Sequence, residues 1–204
     1  MISELFTACV MVSWGFLHSI LASNPVKKKF RVDLFDQRYR IFFNVVSIIT
    51  LLCLELIIST FLRPEAIQVV PLLDRSIIQA QILYIVLFYS GIIIFIGVVI
   101  QVNPLKLLGI IRENLGDIKL GGFYRFSRHP MYAGLLLIFL SNLLISADSV
   151  SLTKTTGYIL YTIVGARFEE RRLVKNFEHY EIMFTRSFLL PYRFKHFRII
   201  FKKD

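Results

Sequence analysis

Apolar positions fall into five blocks along the chain, at about 5–23, 41–62, 77–101, 131–146 and 155–167, separated by polar and basic stretches. A helix needs about 20 apolar residues to cross a hydrocarbon core of ~30 Å. The first three blocks meet that length. The last two are short, and a polar hinge from Asp148, Ser149 and Ser151 to Thr153 and Lys154 divides them. They predict a helical hairpin, either spanning or leaning on its neighbours without reaching full depth. Spanning is the expectation, because a partial loop exposed to lipid leaves backbone groups unsatisfied. The predicted fold is therefore an all-α integral membrane protein. It has about five transmembrane helices, a short C-terminal hairpin and a helical cytoplasmic tail. The 204 residues form a single domain.

Composition agrees with that pattern. Hydrophobic residues make up 55% of the chain and charged residues 19%, against about 25% charged in a soluble domain. Mean hydropathy is +0.63. These values exclude a disordered chain, a coiled coil or a small disulfide scaffold. Cys9 and Cys53 lie inside apolar blocks and read as small hydrophobes, and no metal site is expected from their spacing.

Charge sets the predicted orientation. Residues 24–40, residues 102–130 and the segment from Arg167 onward hold 21 of the 24 Lys and Arg residues. Arg63, Arg75 and Lys154 are the remainder. The positive-inside rule then places the N-terminus outside and the tail in the cytoplasm, as in a bacterial inner membrane. Glu4 precedes the first apolar block and the lysines follow it, the pattern of a retained anchor rather than a cleaved signal. The net charge of +10 reads as topology and attraction to anionic lipid headgroups, not as nucleic-acid binding.

Two polar stretches bracket the hairpin on its cytoplasmic side. The first runs from Gly121-Gly122-Phe123-Tyr124-Arg125 through Arg128-His129-Pro130-Met131-Tyr132-Ala133-Gly134. Its paired glycines suit a turn or close approach of backbone to a ligand. Pro130 suits the first turn of a helix, with Arg128 and His129 just before free N–H groups that favour an anion. The plainer reading is an aromatic and basic interfacial anchor. The second stretch is Glu169-Glu170-Arg171-Arg172-Leu173, continuing to Phe177 and Tyr180. Glu169, Leu173, Phe177 and Tyr180 share one helical face, and Glu170 is turned about 100° away. Here the plainer reading is a solvated helix with local ion pairs. A carboxylate pair directly after a membrane helix is nonetheless well placed to meet a cationic ligand.

Arg128-His129-Pro130-Met131-Tyr132-Ala133-Gly134 resembles the RHPxYxG element of the isoprenylcysteine carboxyl methyltransferase and phospholipid methyltransferase superfamily. Glu169-Glu170 with Leu173 and Phe177 resembles that family's EExxL…F…Y element, and Gly122 stands where the family often has glycine six residues before the arginine. The matched region is about 122–191. His18-Ser19, Ala22-Ser23, Tyr39-Arg40 and Asn44 further resemble a pattern of bacterial members, including methanethiol S-methyltransferases. The chain departs from the family at Glu178, where glycine is usual, and at Tyr180, which falls one residue early.

The resemblance implies an S-adenosylmethionine-dependent membrane methyltransferase with its cofactor region at about 121–192. Arg128 and His129 would meet the methionine carboxylate and serve as positioning residues. Glu169 or Glu170 would accept hydrogen bonds from the ammonium or ribose. Gly122, Pro130, Tyr132 and Gly134 would complete the cofactor set. Phe123, Tyr124 or Phe177 would face the sulfonium. The acceptor, a small thiol, an isoprenylcysteine-like group or a lipid, would enter from the membrane, and Arg186 and Arg193 would steer its charge or contact lipid headgroups. Two other classes fit the same residues: a non-catalytic membrane protein retaining the fold, and an NADPH-dependent membrane reductase. Glu55, inside the second apolar block, is expected to face the bundle, protonated or bonded to another helix.

Overall fold

A computed structural model describes residues 2–29, 36–72, 77–111, 121–176, 183 and 185–189. Among these residues the chain is all-α. Its helices are α1 (Ile2–Ala22), α2 (Asn24–Lys29), α3 (Gln37–Ile57), α4 (Ile78–Val102), α5 (Pro104–Leu107), α6 (Pro130–Leu144) and α7 (Ser149–Asn176). Three helical stretches are long and apolar enough to cross a membrane: Ile2–Ala22, Gln37–Glu65 and Ile78–Val102. Their outer faces carry Val12, Phe16, Ile49, Leu52, Ile85 and Ile93, all exposed. Such apolar surface belongs against lipid. Cys9 and Cys53 are free and exposed on the same helices.

Local chemistry sets the helix ends. Asp36 caps α3 by accepting the Tyr39 N–H at 2.8 Å. Beyond Ile57 the helix loosens into a π turn over Ile58–Leu62 and tightens into a 3-10 turn at Arg63–Glu65, where Pro64 lies. Asn103, with φ of 79°, closes α4 and caps α5 through Leu105 N. Pro130 takes the first position of α6, as its fixed φ favours.

The sequence places a hinge at 148–154; the structure makes most of that stretch the first turns of α7. Asp148 accepts from the Ser151 N–H and hydroxyl, both at 2.7 Å, so the helix starts at Ser149 and runs on for 28 residues. At 1.5 Å per residue α7 is ~42 Å long, whereas the 15 residues of α6 reach ~22 Å. Residues 169–176 of the second polar stretch are thus the last part of the same helix.

In space the helices follow the order α4, α6, α7, α1, α3. Met11, Leu54, Ile58, Val150 and Tyr158 form the core between α1, α3 and α7. The α4–α6 contact is backbone on backbone. A Cβ on Gly91 would lie 2.7 Å from the Gly134 carbonyl, and a Cβ on Gly134 would lie 2.8 Å from the Gly91 carbonyl. Small residues permit such close crossings between membrane helices. Gly134→Ala is expected to cost about 1–3 kcal/mol, because backbone on both sides cannot yield. Gly121→Ala, with nothing within 4 Å of its Cβ, is the matched control. Thermal unfolding in detergent compares them, and equal midpoints would remove the crossing from the fold's requirements.

At one end of the bundle Glu55, 40% exposed at its side chain, accepts from Lys154 Nζ at 2.9 Å and from the Tyr158 hydroxyl at 2.5 Å. This is the interhelical bonding expected for a membrane carboxylate. Nearby, residues 67–69 bond to 147–149, and the Ser149 hydroxyl donates to Glu4 at 2.6 Å. Asp148 also faces Arg63 at 3.5 Å.

Candidate functional site

The opposite end gathers the two polar stretches. Arg128 and His129 stand immediately before α6, and Glu169 and Glu170 lie in the last two turns of α7. The α6–α7 packing brings them together. Arg128 Nε is 2.8 Å from Glu170 Oε1, with side-chain exposures of 12% and 11%. His129 Nε2 is 3.8 Å from the same oxygen, and Arg167 is 3.9 Å from Oε2. Among the described residues His129 Nε2 is buried without a hydrogen-bond partner, while Glu170 Oε1 is buried against the Arg128 guanidinium. Tyr132, in the first turn of α6, lies beside Glu169 and stacks edge-on against His129. The two carboxylates therefore face separate neighbours, as their rotation about the helix requires.

A segment near the C-terminus completes the cluster. Ser127 pairs with Ser187 as a parallel bridge, Arg128 N donates to Ser187 O at 2.8 Å, and the Ser127 hydroxyl donates to Phe188 O at 3.3 Å. The Phe188 ring lies 4.0 Å from the Arg167 guanidinium carbon, 5.5 Å from that of Arg128 and 5.2 Å from the His129 ring. Burial, then the positive charges of Arg128 and Arg167, push His129 down to about 4. At neutral pH the imidazole is uncharged, able to donate from one nitrogen and accept at the other.

Other residues named from sequence have structural work. Gly122, at φ of +58°, forms a turn clasped by Gln101 of α4, which donates to Gly121 O at 2.8 Å and accepts from Phe123 N at 3.1 Å. A Cβ there would collide with the Gln101 side chain. Phe123 packs into the space left by Gly97, so its ring serves the α4 contact. Gly134 serves the α4–α6 crossing rather than a ligand, and Pro130 is buried at the head of α6. The Tyr39, Arg40 and Asn44 pattern is a latch. Tyr39 donates to Leu21 O, Arg40 to Lys106 O, and Asn44 to Leu107 O and Leu108 O. His18 sits among the rings of Trp14, Phe43 and Tyr161. Phe177, Glu178, Tyr180 and Arg193 lie outside the described residues.

Sequence reading missed Gln101, Ser127, Arg167 and Phe188. Gln101 is a polar residue at the very end of an apolar block, a detectable sign of an interfacial clasp. Nothing in the local pattern of Ser187-Phe188-Leu189 announces its return to residues 127–129.

A family model described as NnrU protein matches residues 5–190 of the chain. No curated protein and no solved structure matches it. The match overturns membership of the isoprenylcysteine and phospholipid methyltransferase superfamily, from which the matched family is distinct. The reason is physical as well. In this chain the RHPMYAG run is a helix start at Pro130 plus a glycine at the α4–α6 crossing, a local packing task. A motif with that local job does not identify a family.

Proposed function

The chain belongs to the NnrU protein family; from the geometry of its polar cluster, and not from that match, we propose that it is an integral membrane enzyme that binds S-adenosyl-L-methionine at the Arg128–His129–Glu170 cluster and methylates an acceptor drawn from the bilayer. One observation carries the reading. Residues from the head of α6 and the end of α7 converge in a buried cluster where, among the described residues, the His129 Nε2 nitrogen lacks a hydrogen-bond partner beside the ion-paired Glu170 carboxylate. Buried polar atoms without partners are uncommon and call for a ligand or ordered water.

The residues fit the cofactor's charges. Arg128 suits the amino-acid carboxylate, and Glu170 or Glu169 suits an ammonium or a ribose hydroxyl. When bound, the cofactor supplies a methyl group activated by a sulfonium. Uncharged His129 adds no repulsion to that positive sulfur beside two guanidinium groups. Tyr132 and Phe188 would keep water from the cluster. Transfer of this kind asks the protein chiefly for alignment and dryness.

The proposed topology has five crossings, with the N-terminus outside and the Arg128–Glu170 end in the cytoplasm of a bacterial inner membrane. It is supported by the alternating run of α1, α3, α4, α6 and α7 and by the gathering of Lys27, Arg40, Lys106, Arg128 and Arg172 at one end. A non-catalytic role is the second reading. It is favoured by the Arg128–Glu170 ion pair, which already neutralises the cluster from within.

In detergent, S-adenosylmethionine or S-adenosylhomocysteine at 100 times its Kd should stabilise the protein by about 2.7 kcal/mol, read as a higher melting temperature. NADPH should not. His129→Ala should abolish the shift at unchanged expression. Absence of any shift, or its survival in His129→Ala, would retire the cofactor assignment. Methyl-labelled cofactor added to membranes would then sort thiol, protein and lipid acceptors by the fraction that takes up label.

A further inference from the structure

We propose that a cavity between the start of α1 and the irregular end of α3 binds an organic ammonium with an apolar body, such as an alkylammonium drawn from the bilayer. The cavity holds about 470 Å³ and is lined, among the described residues, by Ile2, Ser3, Phe6, Phe61, Leu62 and Glu65. That volume is in the usual range for a small-molecule site. It lies at the end of the bundle opposite the Arg128–Glu170 cluster. There the Ser3 hydroxyl donates to Glu65 O at 3.4 Å and ties the two helix ends together.

The backbone of α3 shapes one wall. Phe61 and Leu62 belong to the π turn at Ile58–Leu62, and Glu65 closes the 3-10 turn that follows. Departures of this kind from α geometry are frequent at functional sites. Phe6 and Phe61 are 57% and 68% exposed, so their ring faces are open to a guest. An ammonium is attracted to such faces within about 6 Å of the ring centre. Glu65 is the charged residue of this lining. The neighbouring carboxylates are engaged: Glu55 holds Lys154 at 2.9 Å, Asp148 faces Arg63 at 3.5 Å, and Glu4 accepts from the Ser149 hydroxyl at 2.6 Å. Among the described residues no cation pairs with the Glu65 carboxylate. Two phenyl rings and a carboxylate around an apolar hollow complement a cation and disfavour an anion. At the edge of an apolar span the alkyl body of the guest stays in hydrocarbon while its charge stays at the interface.

The experiment uses the full chain in an uncharged detergent, with melting temperature as the readout. Hexyltrimethylammonium, hexanol and hexanesulfonate are titrated separately. The ammonium should raise the midpoint in a saturable way, and the neutral and anionic probes should not. Glu65→Gln should weaken the apparent affinity for hexyltrimethylammonium about fivefold. Phe61→Leu should weaken it about threefold, and Phe16→Leu, exposed further along α1, should leave it unchanged. Glu65 and Phe61 are both exposed, so neither substitution empties the core. In the wild-type chain, added sodium chloride should weaken binding of the ammonium, which needs no variant to test. No saturable rise, an equal rise with hexanol, or an unchanged affinity in Glu65→Gln overturns the site. The S-adenosylmethionine response is measured at the other end of the bundle, so failure here is separate from failure of the cofactor reading.

Discussion

Replacing Glu170 by alanine should cost about 3–5 kcal/mol of stability, the range for breaking a buried ion pair by deleting one partner. The Arg128 guanidinium, 2.8 Å from Glu170 Oε1, would be left with its charge 12% exposed. Arg167 adds little to the pair, being 62% exposed and 3.9 Å away. Glu169→Ala is the informative comparison, since that carboxylate lies beside Tyr132 and takes no part in the Arg128 ion pair. Removing a half-buried carboxylate outside the ion pair should cost about 1 kcal/mol or less. Unfolding of both variants in detergent checks the ranking. Equal and small losses would mean that the ion pair does not hold α7 to the head of α6.

Acidification should destabilise the wild-type protein through His129. Its imidazole titrates at about 4 in the folded state, and at about 6.5 in an unfolded chain. Between those values the unfolded state binds the proton and the folded state does not, so stability falls as pH falls. The full effect is roughly 3 kcal/mol, present above pH 6.5 and spent by about pH 4. His129→Gln should flatten this part of the profile while the carboxylates titrate as before. Melting temperature measured from pH 7.5 to 4 separates the two chains. Superimposable profiles would place His129 in contact with solvent.

Some of this was legible in the residue order. The first three apolar blocks emerged as helices within a few residues of their expected limits, because length and hydropathy suffice for a helix in lipid. Pro130 at a helix start and Glu55 bonded to another helix were also readable, each from a local cost that has few solutions. The hinge at 148–154 was misread. Serine, threonine and aspartate signal both a loop and a helix cap, and only the Asp148–Ser151 hydrogen bonds decide between them. The family was misread for a related reason: short motifs can be shared by helices that have the same packing task.

The amino-acid order by itself determined that the chain is a helical membrane protein and that its cations gather on the odd-numbered loops and beyond the last helix. Hydrophobic burial and the charge asymmetry of loops depend on local composition, so they can be read one segment at a time. Only the tertiary structure decided that Gly134 belongs to a helix crossing, that Glu170 takes Arg128 while Glu169 lies beside Tyr132, and that Phe188 returns to cover His129. Those outcomes depend on which helix faces display which atoms at a few ångströms' separation, and no single segment carries that information.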